Sequence, residues 1–326
     1  MSPFWLLCVT LSLAVFFLSS VASTLLANTA AWLICRFGNT SQLLRSPRLL
    51  FTLRVFPLAF ASALTLGFAL PSFLLLEPKG SAEAPELDLI GFALLGVVVI
   101  LFLAARGLSL VSRSRNAVRK LKQGAELLPR SVSVPVYQVR SPESLIAVVG
   151  IFCPQVFVGT AAVAHLSGEE LEAAIAHELA HVRALDNLKQ LVLKIIRLPR
   201  FFASLARVDS LWCAAVELLA DANALRQGIS AIELSSAIVK VCRLRSIPNA
   251  GFSIDACHLI SPDGSASSLA IRIQNLHDEL GAQAEPDPHQ AEFRWSLLVL
   301  SGVSTYLLIL PMALPLVHRW MEWLVQ

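Results

Sequence analysis

Residues His177-Glu178-Leu179-Ala180-His181 put two imidazoles and a carboxylate within one short run, a donor pattern suited to a zinc site that carries its own base. An α-helix turns about 100° per residue, so residues four apart share a face roughly 6 Å apart along the axis, and both ring nitrogens can reach one ion. Glu178, about 100° round from His177, is too far to be a ligand on that face. It is well placed to deprotonate a water beside the metal. A hydrolytic zinc site also needs a third protein ligand and an open position.

The elements that must position these groups are legible. Ser167-Gly168-Glu169-Glu170 reads as a capping box opening a helix, and Leu171, Ala174, Ile175 and Leu179 form its apolar stripe. Asp209 to Gln227 reads as a second helix stopped by Gly228, with Glu217 and Asp221 on one face. An acidic pair on a mostly apolar helix calls for a cationic partner. Glu217 is read as the third ligand. Asp221 is read as the carboxylate that takes the free N–H of a ligand histidine and fixes its tautomer, with a salt-bridged surface acid as the alternative. Asp186, five residues past His181, is a further candidate for that task, or else caps the end of the zinc helix.

HELAHVRALDNLKQ followed by ELLADANAL resembles the BlaR/MecR-type membrane metallopeptidases, the antirepressor family, and more distantly the HtpX and CAAX-processing zinc proteases. The resemblance is strongest over residues 140 to 228. It implies that His177, His181 and Glu217 bind one Zn2+ per chain, that Glu178 is the base, and that the protein sits in a bacterial plasma membrane. It also makes Arg272, in Ser268 to Leu276, a candidate for stabilising the oxyanion, through likeness to a late Arg-Ile helix of the HtpX group. The His-Pro pair that often precedes that arginine is missing here. His258 is a second candidate, whereas His165, His277, His289 and His318 lack ligand spacing.

Composition places this chemistry in a membrane. The chain has 326 residues, of which 56% are hydrophobic and 15% charged, with a mean hydropathy of +0.67, far from the averages of soluble domains. Four stretches are long enough to span, about residues 4–35, 49–76, 89–111 and 293–317. The first has no basic residue ahead of it and is read as a span, not a removable signal. The net charge of +3 hides an asymmetry: Arg36, Arg45 and Arg48 mark the first loop and Arg113, Arg115, Arg119, Lys120 and Lys122 follow the third span. The second loop carries Lys79 against Glu77, Glu83, Glu86 and Asp88. The positive-inside rule then puts loops one and three in the cytoplasm. The six cysteines are scattered without a CxxC pair, so no disulfide is expected. No basic patch with interleaved aromatics supports nucleic-acid binding.

The expected architecture is an α-helical integral membrane protein. Three transmembrane helices fill residues 1–111, a cytoplasmic zincin-like α+β metallopeptidase domain follows over 112–290, and 291–326 holds the fourth helix and a tail. Val132 to Val139, Leu145 to Gly150 and Gln155 to Thr160 read as strands. Val156 to Thr160 is the candidate edge to which an extended peptide could add, or else part of an ordinary core hairpin. Leu188 to Val208 mixes five cations with bulky apolar groups, fitting either a helix in the inner leaflet or a helix pair packed on the domain. The expected function is zinc-dependent, gluzincin-like cleavage of a protein substrate, a regulator in signalling. The alternatives are HtpX-like quality control of membrane proteins and a non-catalytic, zinc-stabilised membrane transducer. β-Lactam sensing is not expected, because only His318 to Gln326 follow the fourth span. A signal would come from a separate sensor protein, the bilayer or the second loop.

Overall fold

The computed structural model describes residues 3–78, 85–129, 133–140, 146–197, 202–245, 266–279, 309 and 311–322, and these are mostly helical. Three helical stretches among them are long and apolar enough to cross a membrane: Phe4–Phe37, Pro47–Leu76 and Leu87–Lys122. The first is α1 (Pro3–Phe37). A short α2 (Thr40–Leu44), capped by the Asn39 side chain, leads to α3 (Pro47–Leu64). That helix runs through a π-helical turn (Thr65–Ala69) into α4 (Leu70–Leu76). The wider turn falls just before Pro71, which cannot donate to the helix ladder.

The third stretch, α5 (Leu87–Lys122), is one helix of 36 residues, roughly 54 Å long at the α-helical rise and so longer than a hydrocarbon core of about 30 Å. The expected span of about 89–111 lies within this helix. The helix continues because Ala117, Val118 and Leu121 have an apolar surface to cover. Most of the fourth expected span, about 293–317, lies outside the described residues; its last part belongs to a helix over 311–322.

Beyond α5 come β1 (Glu126–Leu128), β2 (Val136–Val139), β3 (Ile146–Val149) and β4 (Gln155–Gly159). They form one sheet in the order β1-β2-β4-β3. β2 and β4 are parallel, with Val136 opposite Val156; β3 is antiparallel to β4, with Val148 opposite Val156. β1, antiparallel to β2, adds to the three expected strands. The edge expected at Val156 to Thr160 proves to be the middle of the sheet. Val156, Phe157 and Val158 are each 0% exposed, so β4 is apolar on both faces, as an inner strand must be. The edges are β1 and β3.

The helices that follow are α6 (Thr160–His165), α7 (Gly168–Arg183), α8 (Asp186–Ile195), α9 (Ala203–Arg226), α10 (Ala231–Arg245) and α11 (Ala266–Glu279). α9 ends just before Gly228, whose φ of +88° suits glycine.

Packing divides the chain into two compact units. The first comprises Met1–Ala30, Val55–Ala104 and Gln283–Gln326. Phe4, Leu7, Leu11, Phe73, Leu89 and Met321 share its core, and the Ser72 hydroxyl donates to Leu314 O at 2.9 Å. The second comprises Ala31–Arg54 and Ala105–Ala282. In it the strand period of two separates two apolar faces. Val136, Ile146, Val148, Val156 and Val158 meet Leu171, Ile175 and Leu179 of α7. Val139, Ala147, Val149 and Phe157 meet Ala117, Val118 and Leu121 of α5. The sheet is therefore a middle layer between α7 and the end of α5. Leu191 and Leu193 of α8 and Leu205 and Val208 of α9 are buried in protein, which favours the packed reading of Leu188 to Val208.

Candidate metal centre

α7 begins as its sequence requires. The Ser167 hydroxyl accepts from the Glu170 amide at 3.1 Å and the Glu170 carboxylate accepts from the Ser167 amide at 2.8 Å, a cap of about 1 kcal/mol. Glu170 is shared further, since its carboxylate accepts from Lys240 at 2.7 Å and from Ser236 at 2.5 Å, both on α10. The leucine stripe turns one side of α7 onto the sheet, while Ala173 and Ala176 lie against Ala224 of α9. Small residues at that crossing let the backbones approach. His177, Glu178 and His181 are left buried between sheet and α9.

His177 Nε2 and His181 Nε2 converge to 3.2 Å. Glu217 closes a triangle, with Oε2 3.5 Å from His177 Nε2 and Oε1 3.6 Å from His181 Nε2. One donor atom from each of the three residues falls within 4.8 Å of the others. Ligands of a tetrahedral zinc ion, each about 2.0–2.1 Å from it, lie about 3.3 Å from one another. The triangle fits that ion.

Each imidazole is held from behind. His181 Nδ1 donates to Asp186 Oδ2 at 2.9 Å, which leaves its Nε2 as a lone pair. His177 Nδ1 lies 2.9 Å from Asp221 Oδ1, although the contact is too poorly directed to count as a hydrogen bond. Asp186 can face back to His181 because Leu185, between α7 and α8, adopts a left-handed φ of 56°. That conformation is costly for a branched residue and is typical of functional sites.

Arg272 on α11 supplies the cation that the acidic pair demands. Its Nε and Nη2 donate to Asp221 Oδ2 and Oδ1 at 2.7 and 2.6 Å, and its Nη1 donates to Glu217 Oε2 at 2.8 Å. Burial would raise the Glu217 and Asp221 carboxyls, but Arg272 first and His177 next hold both below their ordinary range. Burial works against charge on His177, yet Asp221 and then Glu217 outweigh it and push its pKa up to about 10. The point between the rings thus favours positive charge, and a metal would bind there by displacing a proton. Among the described residues, Arg272 pairs with Glu217 and Asp221, and Lys189 lies 3.4 Å from Asp186.

Glu178 lies beside the triangle without entering it. Its Oε2 accepts from the Val148 amide at 3.0 Å, and all four residues of β3 are buried. His258 lies outside the described residues. Arg272, expected near an oxyanion, has three of its nitrogens on the carboxylates of α9. Val148 as a partner for Glu178 and the turn at Leu185 had no signal in the sequence: the first is a backbone atom, and the second occurs at a residue type that rarely makes such a turn.

Residues 100–242, less than half of the chain, match the model of peptidase family M48, whose members are zinc-dependent. The matched region contains His177, Glu178, His181, Glu217 and Asp221 and ends before Arg272. No curated protein sequence matches the chain.

Proposed function

We propose that the protein is a membrane-embedded, zinc-dependent endopeptidase that cuts a protein regulator in signalling, with His177, His181 and Glu217 as zinc ligands. The observation that carries this reading is the 3.2 Å approach of two histidine nitrogens, closed by the Glu217 carboxylate, with Glu178 on the same helix taking no part in the triangle. A purely structural zinc site needs no such acid.

Zinc bound there would supply a Lewis acid, lowering the pKa of a water and polarising the scissile carbonyl. Glu178 takes the water's proton and returns it to the leaving amine. Asp186 holds the His181 imidazole in the tautomer that points Nε2 inward, and the Asp221 carboxylate beside His177 Nδ1 favours a proton on that nitrogen. Arg272 keeps the Glu217 and Asp221 carboxylates together and neutralises part of their charge. Burial of the site raises the effect of each charge. The basic residues after α1 and at the end of α5 support a cytoplasmic catalytic domain, with a fourth span over about 293–317.

The test is cleavage of a membrane-protein mixture by the full chain in lipid. Activity should vanish with a chelator and return with zinc, and the Glu178→Ala variant should retain uncut substrate for identification by mass spectrometry. Cleavage that survives removal of all metal would overturn the reading.

A further inference from the structure

Asn187 is the second residue of α8, one place after the aspartate that faces His181. Its Nδ2 donates to Gly150 O at 2.6 Å. Gly150 follows β3 directly and opens the turn to β4. Its φ is +108°, and a Cβ there would sit 2.5 Å from Cys153 O, so the turn is closed on itself and only glycine fits. The carbonyl that Asn187 takes therefore belongs to a rigid piece of backbone.

β3 is an edge strand paired with β4 alone, so it lacks the second ladder that holds an inner strand. Two side chains from the helices take its backbone instead. Glu178 of α7 accepts from the Val148 amide at 3.0 Å, and Asn187 of α8 donates to the carbonyl two residues further on. A closed ring results: His181 Nδ1 donates to Asp186, Asn187 follows Asp186 and holds Gly150, and the Val148 amide ends on Glu178, three residues before His181. Helical spacing fixes the Glu178 Cα but leaves its side-chain torsions free, and the Val148 amide selects among them. Asn187 Oδ1 is buried without a hydrogen-bond partner among the described residues. Such an atom lowers stability, and a leucine of similar volume would avoid it. Residues that break a local rule in this way mark places where a site, not the core, sets the choice.

We propose that Asn187 is a positioning residue of the metal centre: by holding Gly150 it fixes the edge strand whose Val148 amide sets the Glu178 carboxylate beside the two histidines. Asn187 acts through the backbone of β3 and is not itself a reacting group. Its part in catalysis rests on the peptidase reading, whereas the mechanical link from Asn187 to Glu178 does not.

The test uses the full chain in detergent, with Asn187→Leu and Asn187→Asp, both of which keep the volume and lose the donor. Amide exchange followed by fragmentation mass spectrometry should show Val148 exchanging about tenfold faster in both variants, with Phe157 and Val158 of β4 unchanged. With fluorescently labelled casein as substrate, kcat should fall roughly 10–100-fold while KM and zinc content stay near wild type. Combined with Glu178→Gln, either change should add less than about twofold, since both act through one group. Equal protection of the Val148 amide in wild type and variants, or a loss of activity that adds in full to that of Glu178→Gln, overturns the link. A loss of protection that spreads into β4 overturns it as well, because it marks an ordinary structural residue. If Glu178→Gln leaves casein cleavage untouched while the Val148 amide is released as expected, the peptidase reading fails and the hold of Asn187 on Glu178 stands.

Discussion

The Glu178 carboxylate accepts a hydrogen bond from the Val148 main-chain amide at 3.0 Å. A side chain of α7 is thereby fixed by the backbone of β3, whose own side chains lie in the sheet core.

That bond makes Glu178→Gln a clean test, because the glutamine amide oxygen can still accept from Val148. Peptide cleavage should fall by at least ~10² while zinc content and melting temperature stay near wild type. Unchanged cleavage would remove Glu178 as the base. If signalling output in cells persists in this variant and disappears in His177→Ala, the protein acts as a zinc-stabilised binder.

For the metal, the expected result is about one zinc per purified chain, by elemental analysis. His177→Ala and Glu217→Ala each leave an incomplete triangle and should weaken zinc binding by orders of magnitude. A Glu217→Ala protein with full zinc occupancy would exclude that carboxylate from the ligand set.

Arg272→Lys keeps the charge but loses the fork that spans Asp221 and Glu217. Zinc affinity measured by competition with a chelator should fall roughly 10–100-fold, the usual cost of disturbing groups behind a ligand. An unchanged affinity together with a selective loss in kcat would instead favour a role at the oxyanion.

Glu170 has its pKa lowered from the ordinary 4.5 to about 2, chiefly by the Lys240 hydrogen bond and then by Ser236 and the Ser167 amide. Because the folded value is the depressed one, the stabilisation is complete above about 4.5 and disappears as the pH falls towards 2. Thermal melts should show wild type more stable than Lys240→Met near neutrality, with the difference shrinking through that window. A difference that persists at the acid end would rule out this linkage.

Orientation is open to direct measurement. A reporter fused after Gln123 should be cytoplasmic, and one inserted near Gly80 should lie on the opposite side. The reverse pattern would move the metal centre outside the cytoplasm.

The sequence was most informative where chemistry and periodicity coincide. His177, His181 and Glu217 could be brought together on paper because helical spacing and a cap at Ser167 dictate one face, and the second helix advertises an acidic pair in an apolar context. Arg272 was reachable as a cation but not as the partner of Asp221, since nothing local says which helix faces which. The position of β4 was misread for a similar reason: a short apolar run is compatible with edge or centre until its neighbours are known.

α5 limits how the chain can be divided. Its last turns cover the face of the sheet formed by Val139, Ala147, Val149 and Phe157, with the Lys122 ammonium 5.1 Å above the Tyr137 ring. A fragment beginning at Gln123 would expose that whole face to water. The sheet is therefore not cargo on a detachable rod: the same helix that runs through the uncharged residues Leu89 to Ala105 finishes as a wall against one of its faces. Cutting the two apart would remove part of the fold itself, and expression of the water-soluble remainder should yield aggregate.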